Sequence, residues 1–136
     1  MQQQIALQLI QDYYTAFNEK NMPRFLSLLS EDIVHDINQG HQEIGKQAFV
    51  VFMERMNHSY QEHIAQLAIM TNTQGTRAAA EFIVNGTYTA SASGLPEATG
   101  QQYSLPCGAF FEIKQSKIAR VTNYYNLQNW LKQVQA

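Results

Sequence analysis

The chain has 136 residues, of which 45% are hydrophobic and 15% charged, with a formal net charge of −2. That length and balance describe a globular chain able to bury a core, and exclude a disordered one. Its nine Lys and Arg stand singly, without the basic stripe a nucleic-acid binder needs, and no apolar run approaches the ~20 residues of a membrane span.

Apolar residues at Ile5, Leu9, Tyr13, Ala16 and Phe17 recur at helical spacing and predict a first helix. Pro23 suits a first helical turn, so a second, short helix is expected through Phe25, Leu26, Leu28 and Leu29. Residues Ile33 to Asn38 read as a short strand, and Gly40 and Gly45 bracket a turn. A third helix follows, with Phe49, Phe52, Met53, Met56 and Tyr60 on one face.

The pattern then changes to strands, expected over His63 to Thr71, Arg77 to Thr89, Tyr103 to Lys114 and Lys117 to Leu127. Asn72 to Gly75 and Gln115-Ser116 are hairpin-like turns. Ser91 to Gln101 is a longer polar connection whose Gly94-Leu95-Pro96 segment is either a pocket rim or simply a tolerated loop. A short terminal helix, Asn126 to Gln135, carries Trp130. No repeat or linker divides the chain, so a single domain over 1–136 is expected. Helices on one face of a mainly antiparallel sheet make a two-layer α+β fold, and long strands curl it into a concave face that encloses a pocket.

Strand parity nominates the side chains that face this pocket. On the third and last expected strands, Phe82, Val84, Val121, Asn123 and Tyr125 are placed inward. Phe52 and Met56 of the third helix complete an apolar wall. On the first strand, Val34, Asp36 and Asn38 oppose Ile33, His35 and Ile37. Asp36 admits two readings: a carboxylate in the pocket, raised in pKa and able to accept a proton, or a surface aspartate near a turn. Tyr13 either packs its ring or offers its phenol to a ligand oxygen. Ile33, Ile37 and Tyr124 on the outer face would then favour a homodimer.

Four histidines (His35, His41, His58, His63) match no metal-ligand spacing, so no metal site is expected. Cys107 is the only cysteine, which excludes an intramolecular disulfide and fits a reducing, cytoplasmic setting. No base is nominated for it, and a small buried thiol is expected. No signal-peptide pattern, P-loop, dinucleotide fingerprint or serine-hydrolase elbow occurs.

Tyr13 to Asn18 (YYTAFN), Ser30 to Gly40 (SEDIVHDINQG), and the closing segments RAAAEFIVNGTY and AFFEIKQSKIARVTNYYNL resemble ketosteroid isomerase-related and SnoaL-like proteins of the NTF2-like superfamily. The resemblance covers nearly the whole chain. It implies a cone in which three N-terminal helices pack on a curved sheet, and cofactor-free proton transfer on a small apolar carbonyl compound. In ketosteroid isomerases an aspartate is the base, and a tyrosine with a protonated aspartate holds the enolate oxygen. Carried over, the base falls on Asp36 and the phenol on Tyr13, with a separation that fits to within one residue. The second aspartate falls on Gly108 or Ala109, neither of which supplies a donor; Asn123 and Tyr125, which strand parity places inward, are the best substitutes. That gap keeps a non-catalytic ligand-binding or protein-interaction module open beside the isomerase reading, and related cyclase, dehydratase or hydrolase chemistry beside both.

Overall fold

The computed structural model describes residues 2–135, so the two end residues of the expected 1–136 unit lie outside the described residues. Its elements are α1 (Gln2–Asn18), α2 (Met22–Ser27), β1 (Leu29–Asp36), β2 (Gln42–Ile44), α3 (Lys46–Ser59), β3 (Tyr60–Thr71), β4 (Arg77–Tyr88), β5 (Gln102–Lys114), β6 (Lys117–Tyr125) and α4 (Leu127–Val134). The strands form one sheet in the order β2-β1-β6-β5-β4-β3. Every pairing is antiparallel except β1 with β6, so the expected meander is closed by a parallel strand from the N-terminal half. The α+β class and the helices packed on a curved sheet are as the sequence predicts.

Local chemistry sets the boundaries. Asn21 caps α2 by accepting from the Arg24 N–H at 3.2 Å, with Pro23 in the first turn. Asn126 caps α4 in the same way, accepting from the Asn129 N–H at 3.0 Å. Asn18 ends α1 and fastens it to the sheet through two bonds to the Ile64 backbone, 3.0 and 2.8 Å long. The β3 strand starts at Tyr60, three residues earlier than expected. Tyr60 continues the i+4 spacing of α3, but its backbone is already extended and its ring stacks on Tyr88, its partner in the ladder.

A bulge between Ala65 and Ala68, with Gln66 at φ 54°, bends β3. The bend turns the sheet's concave face toward α1 and α3. The core fills that concavity from Ala6, Ile10 and Ala16 on α1, through Phe25 and Phe49, to Phe111, Ile118 and Val121 on the sheet. Ile5, expected in the buried stripe of α1, is exposed. The stripe is rotated by about one residue, which brings Tyr14 inward beside Tyr13.

The parity of β1 is the main correction. Leu29, Ile33 and His35 are buried, and Ile37 continues the same face toward the interior. Asp36 therefore lies on the outer face, and Ile33 and Ile37 do not contribute to an outer apolar surface. The alternation Leu29, Ile33, Ile37 already carried this parity. Burying two isoleucines is favourable, whereas burying an unpaired carboxylate is costly. The strand takes the register that does the first and avoids the second.

Candidate functional site

A cavity of about 270 Å³ lies between the concave sheet and the helices. Tyr13, Tyr14 and Phe17 of α1 and Phe49, Phe52, Met53 and Met56 of α3 line it from the helical side. His35 and Ile37 line it at one side, and Tyr60, Glu62 and Ile64 of β3 at the other. Phe82, Val84, Leu105, Cys107, Asn123 and Tyr125 form its floor. Leu95 closes on it from the β4–β5 connection, which is tied down where Tyr88 donates to the Pro96 carbonyl at 2.6 Å and accepts from the Ala92 N–H at 2.9 Å.

Of the expected site residues, Tyr13, Asn123, Tyr125, Phe82, Val84, Phe52 and Met56 are thus brought together around one cavity. Val121 is not on its wall. It is fully buried behind it, in register with His35 on one side and Phe111 on the other. Asp36 is not on the wall either. Its carboxylate accepts from Thr122 Oγ1 at 2.6 Å and from Gln42 Nε2 at 2.8 Å. Thr122 in turn accepts from Arg120, which pairs with Glu112 at 2.9 Å. The two hydrogen bonds hold the Asp36 carboxyl below the usual carboxylate range. This chain of polar groups crosses the outer face of the sheet, and it gives Asp36 a structural partner set there.

His35 takes the inward place beside it. Its imidazole is 2% exposed, stacks on Phe49 with ring centroids 4.4 Å apart, and meets the Phe52 edge at 4.6 Å. Nδ1 has no hydrogen-bond partner among the described residues. Burial lowers the His35 pKa, with Glu43 and Asp36 opposing, so the ring is neutral near pH 7. On α1 the Tyr14 hydroxyl is likewise buried without a partner, and burial raises its pKa. Tyr13 packs its ring 4.5 Å from Phe25 and edge-on to Tyr14 and Phe111, so it is chiefly a wall of the site, with its phenol also raised by burial.

On the β3 side stands Glu62, half-buried, which accepts from the Tyr103 hydroxyl at 2.7 Å. Lack of solvent raises its pKa, while the Tyr103 bond and the Lys20 ammonium pull it back. Cys107 also faces the cavity, and burial pushes its thiol up to about 12, so it is no nucleophile near neutral pH. Ala109, one of the two positions where the resemblance puts an acid, is wholly buried and paired with Asn123. Among the described residues no group of His, Cys, Asp and Glu is arranged to hold a metal ion, and no helix is long and apolar enough to cross a membrane.

Sequence reasoning missed His35, Tyr14 and Glu62. His35 follows from the isoleucine parity of β1, and Tyr14 from the i+4 relation to Ile10. Glu62 lies one residue before the expected start of β3 at His63, within the strand that begins at Tyr60.

The SnoaL-like domain family matches residues 10–121 of the chain. A candidate polyketide cyclase from Pseudomonas putida KT2440 is 57% identical, covering 95% of this chain and 97% of its own, with a TM-score of 0.94. Another, from Xanthomonas campestris pv. campestris, is 48% identical, covering 98% and 99%, with a TM-score of 0.96. A protein with a ketosteroid isomerase-like fold from Catenulispora acidiphila DSM 44928 shares the fold at 16% identity and a TM-score of 0.74, covering 93% and 91%. No curated protein matches the chain.

Proposed function

The chain belongs to the SnoaL-like family, and from that premise we propose that it binds a small, largely apolar carbonyl compound and moves a proton next to the carbonyl without a cofactor. The observation that carries this reading is the pair of orphaned polar atoms, Tyr14 Oη and His35 Nδ1, on residues that line a largely apolar cavity. A buried polar group without a partner costs about 1–3 kcal/mol, and a ligand oxygen between apolar surfaces would offset that cost. Tyr14 is the donor for a carbonyl that gains negative charge as its neighbouring C–H is lost. The neutral imidazole of His35 offers a second polar contact. Candidate polyketide cyclases among the near relatives favour a substrate with several carbonyl groups, whose intervening C–H bonds are the easiest to ionise. Isomerisation and aldol closure both start with that step.

A second reading, ligand binding without turnover, is favoured by one observation: neither Gly108 nor Ala109, the two positions where the resemblance puts an acid, carries one. On the outer face, Met70, Phe110 and Tyr124 are exposed, and they, not Ile33 and Ile37, support a homodimer.

Deuterium exchange of 2-tetralone, followed by NMR, tests the enzymatic reading. Wild type accelerates exchange beside the carbonyl, and Tyr14→Phe loses about 10²–10³-fold, the usual effect of removing one oxyanion donor. Binding of the ketone with no exchange above buffer would leave the second reading in its place.

A further inference from the structure

Resting on that reading, we infer that Glu62 is the base that takes the proton, and that Tyr103, admitted by the missing side chain of Gly86, is the residue that positions it. Three observations on three adjacent strands converge. Glu62 on β3 is paired with Gly86 on β4, and Gly86 with Tyr103 on β5. The Tyr103 ring crosses over Gly86 so closely that a Cβ there would fall about 2.5 Å from its Cε2 and hydroxyl. Its hydroxyl then ends 2.7 Å from Glu62 Oε2.

The Gly86 backbone is not in the left-handed region, so no turn or strain explains a glycine in the middle of this long strand. Glycine weakens a strand interior and commonly marks a close approach. Here the close approach is a ring, and the ring's one polar atom is spent on a cavity-lining carboxylate.

The arrangement suits a base. One carboxylate oxygen is fixed by the phenol, which leaves the other free to face a substrate in the cavity. Trp130 meets the Tyr103 ring edge-on at 5.9 Å and keeps it from swinging away. The groups that face Glu62 are Lys20 in the turn after α1, whose ammonium donates to the Glu62 backbone carbonyl at 2.7 Å, Tyr60 on its own strand, Tyr103 and Cys107 on β5, and Tyr125 on β6. Lys20 is the only formal cation among them. The carboxylate is consequently more basic than one in water, which helps a weakly acidic C–H ionise.

The step balances. The C–H electron pair moves into the carbonyl as an enolate, the proton passes to Glu62, and the oxygen's charge is met by the Tyr14 hydroxyl. Returning the proton to carbon restores the carboxylate.

Two measurements on the full chain test the inference. In 2-tetralone exchange, Glu62→Gln lowers kcat by about 10²–10⁴-fold with KM little changed. Tyr103→Phe keeps part of the rate. Because its hydroxyl lowers the Glu62 pKa, losing it moves the acid limb of the pH–rate profile to higher pH, which a merely structural role would not do. The second measurement needs no turnover. It follows 2-naphthol, a stable mimic of the enol, by fluorescence titration across pH. Wild-type affinity rises as pH falls through the Glu62 pKa, by about tenfold if bound and free values differ by one unit. Glu62→Gln binds tightly at every pH. Equal exchange rates in wild type and Glu62→Gln would overturn the role of Glu62 while leaving the cavity's function intact. A 2-naphthol profile unchanged by Glu62→Gln would overturn it even if 2-tetralone is not turned over, and failure of turnover alone would count against the proposed activity.

Discussion

The Tyr103 hydroxyl donates to Glu62 across the face of Gly86, at 2.7 Å, linking the backbone of one strand to side chains from its two neighbours. Gly86→Ala places a methyl about 2.5 Å from Cε2 and the hydroxyl of Tyr103 and is expected to cost about 1–3 kcal/mol, as overpacking does. Urea denaturation of a double-mutant cycle checks the cause. Alanine at 86 becomes nearly harmless once Tyr103 is also alanine, giving a coupling energy of about 1 kcal/mol or more.

Glu62 is expected to oppose stability at neutral pH. Its pKa is raised on folding, so its contribution is most favourable at acid pH and is lost as pH rises from the ordinary carboxylate range through the folded value. Glu62→Gln removes that loss. Its Tm should exceed that of wild type at pH 8, and the difference should close toward pH 4.

His35 has the opposite dependence. Its pKa is lowered by burial, so its contribution is full above the unfolded histidine value and declines as pH falls below it. Wild type should lose up to about 1.4 kcal/mol per pH unit from this group below roughly pH 6.5. His35→Phe, which keeps an aromatic ring between Phe49 and Phe52, should flatten that slope in thermal melts.

Asp36→Asn should keep 2-tetralone exchange within about twofold of wild type, against the 10²–10⁴-fold cost of removing a base. The carboxylate is held by Thr122 and Gln42 on the outer face. A large loss of exchange would return the base to Asp36.

The layers of the fold were legible because they rest on period. The helical stripe of α3, the long strands from Arg77 onward and the Gln115-Ser116 turn all repeat a signal over many residues. The site was less legible, since it depends on single-residue parity. One step along β1 exchanges Asp36 for His35, and one step at the start of β3 hides Glu62. The Gly86–Tyr103 relationship has no local signature at all, since it joins residues that pair only once β4 and β5 are in register.

On the outer face the Phe110 and Tyr124 rings meet edge-on, 5.8 Å apart, and both are exposed. If this patch joins two copies, Phe110→Lys should remove a buried anchor worth about 2 kcal/mol and weaken the dimer about 30-fold. Sedimentation or light scattering over a concentration series would show it. An unchanged profile would place any dimer contact elsewhere.

The proposed contact of the partnerless Tyr14 and His35 polar atoms with a ligand carbonyl is reported most directly by the carbonyl stretch of 2-tetralone bound to the protein. The band is expected below its position in an apolar solvent, and it should move back toward that position in Tyr14→Phe. A band at the apolar-solvent frequency in wild type, or a shift that Tyr14→Phe leaves untouched, would contradict it.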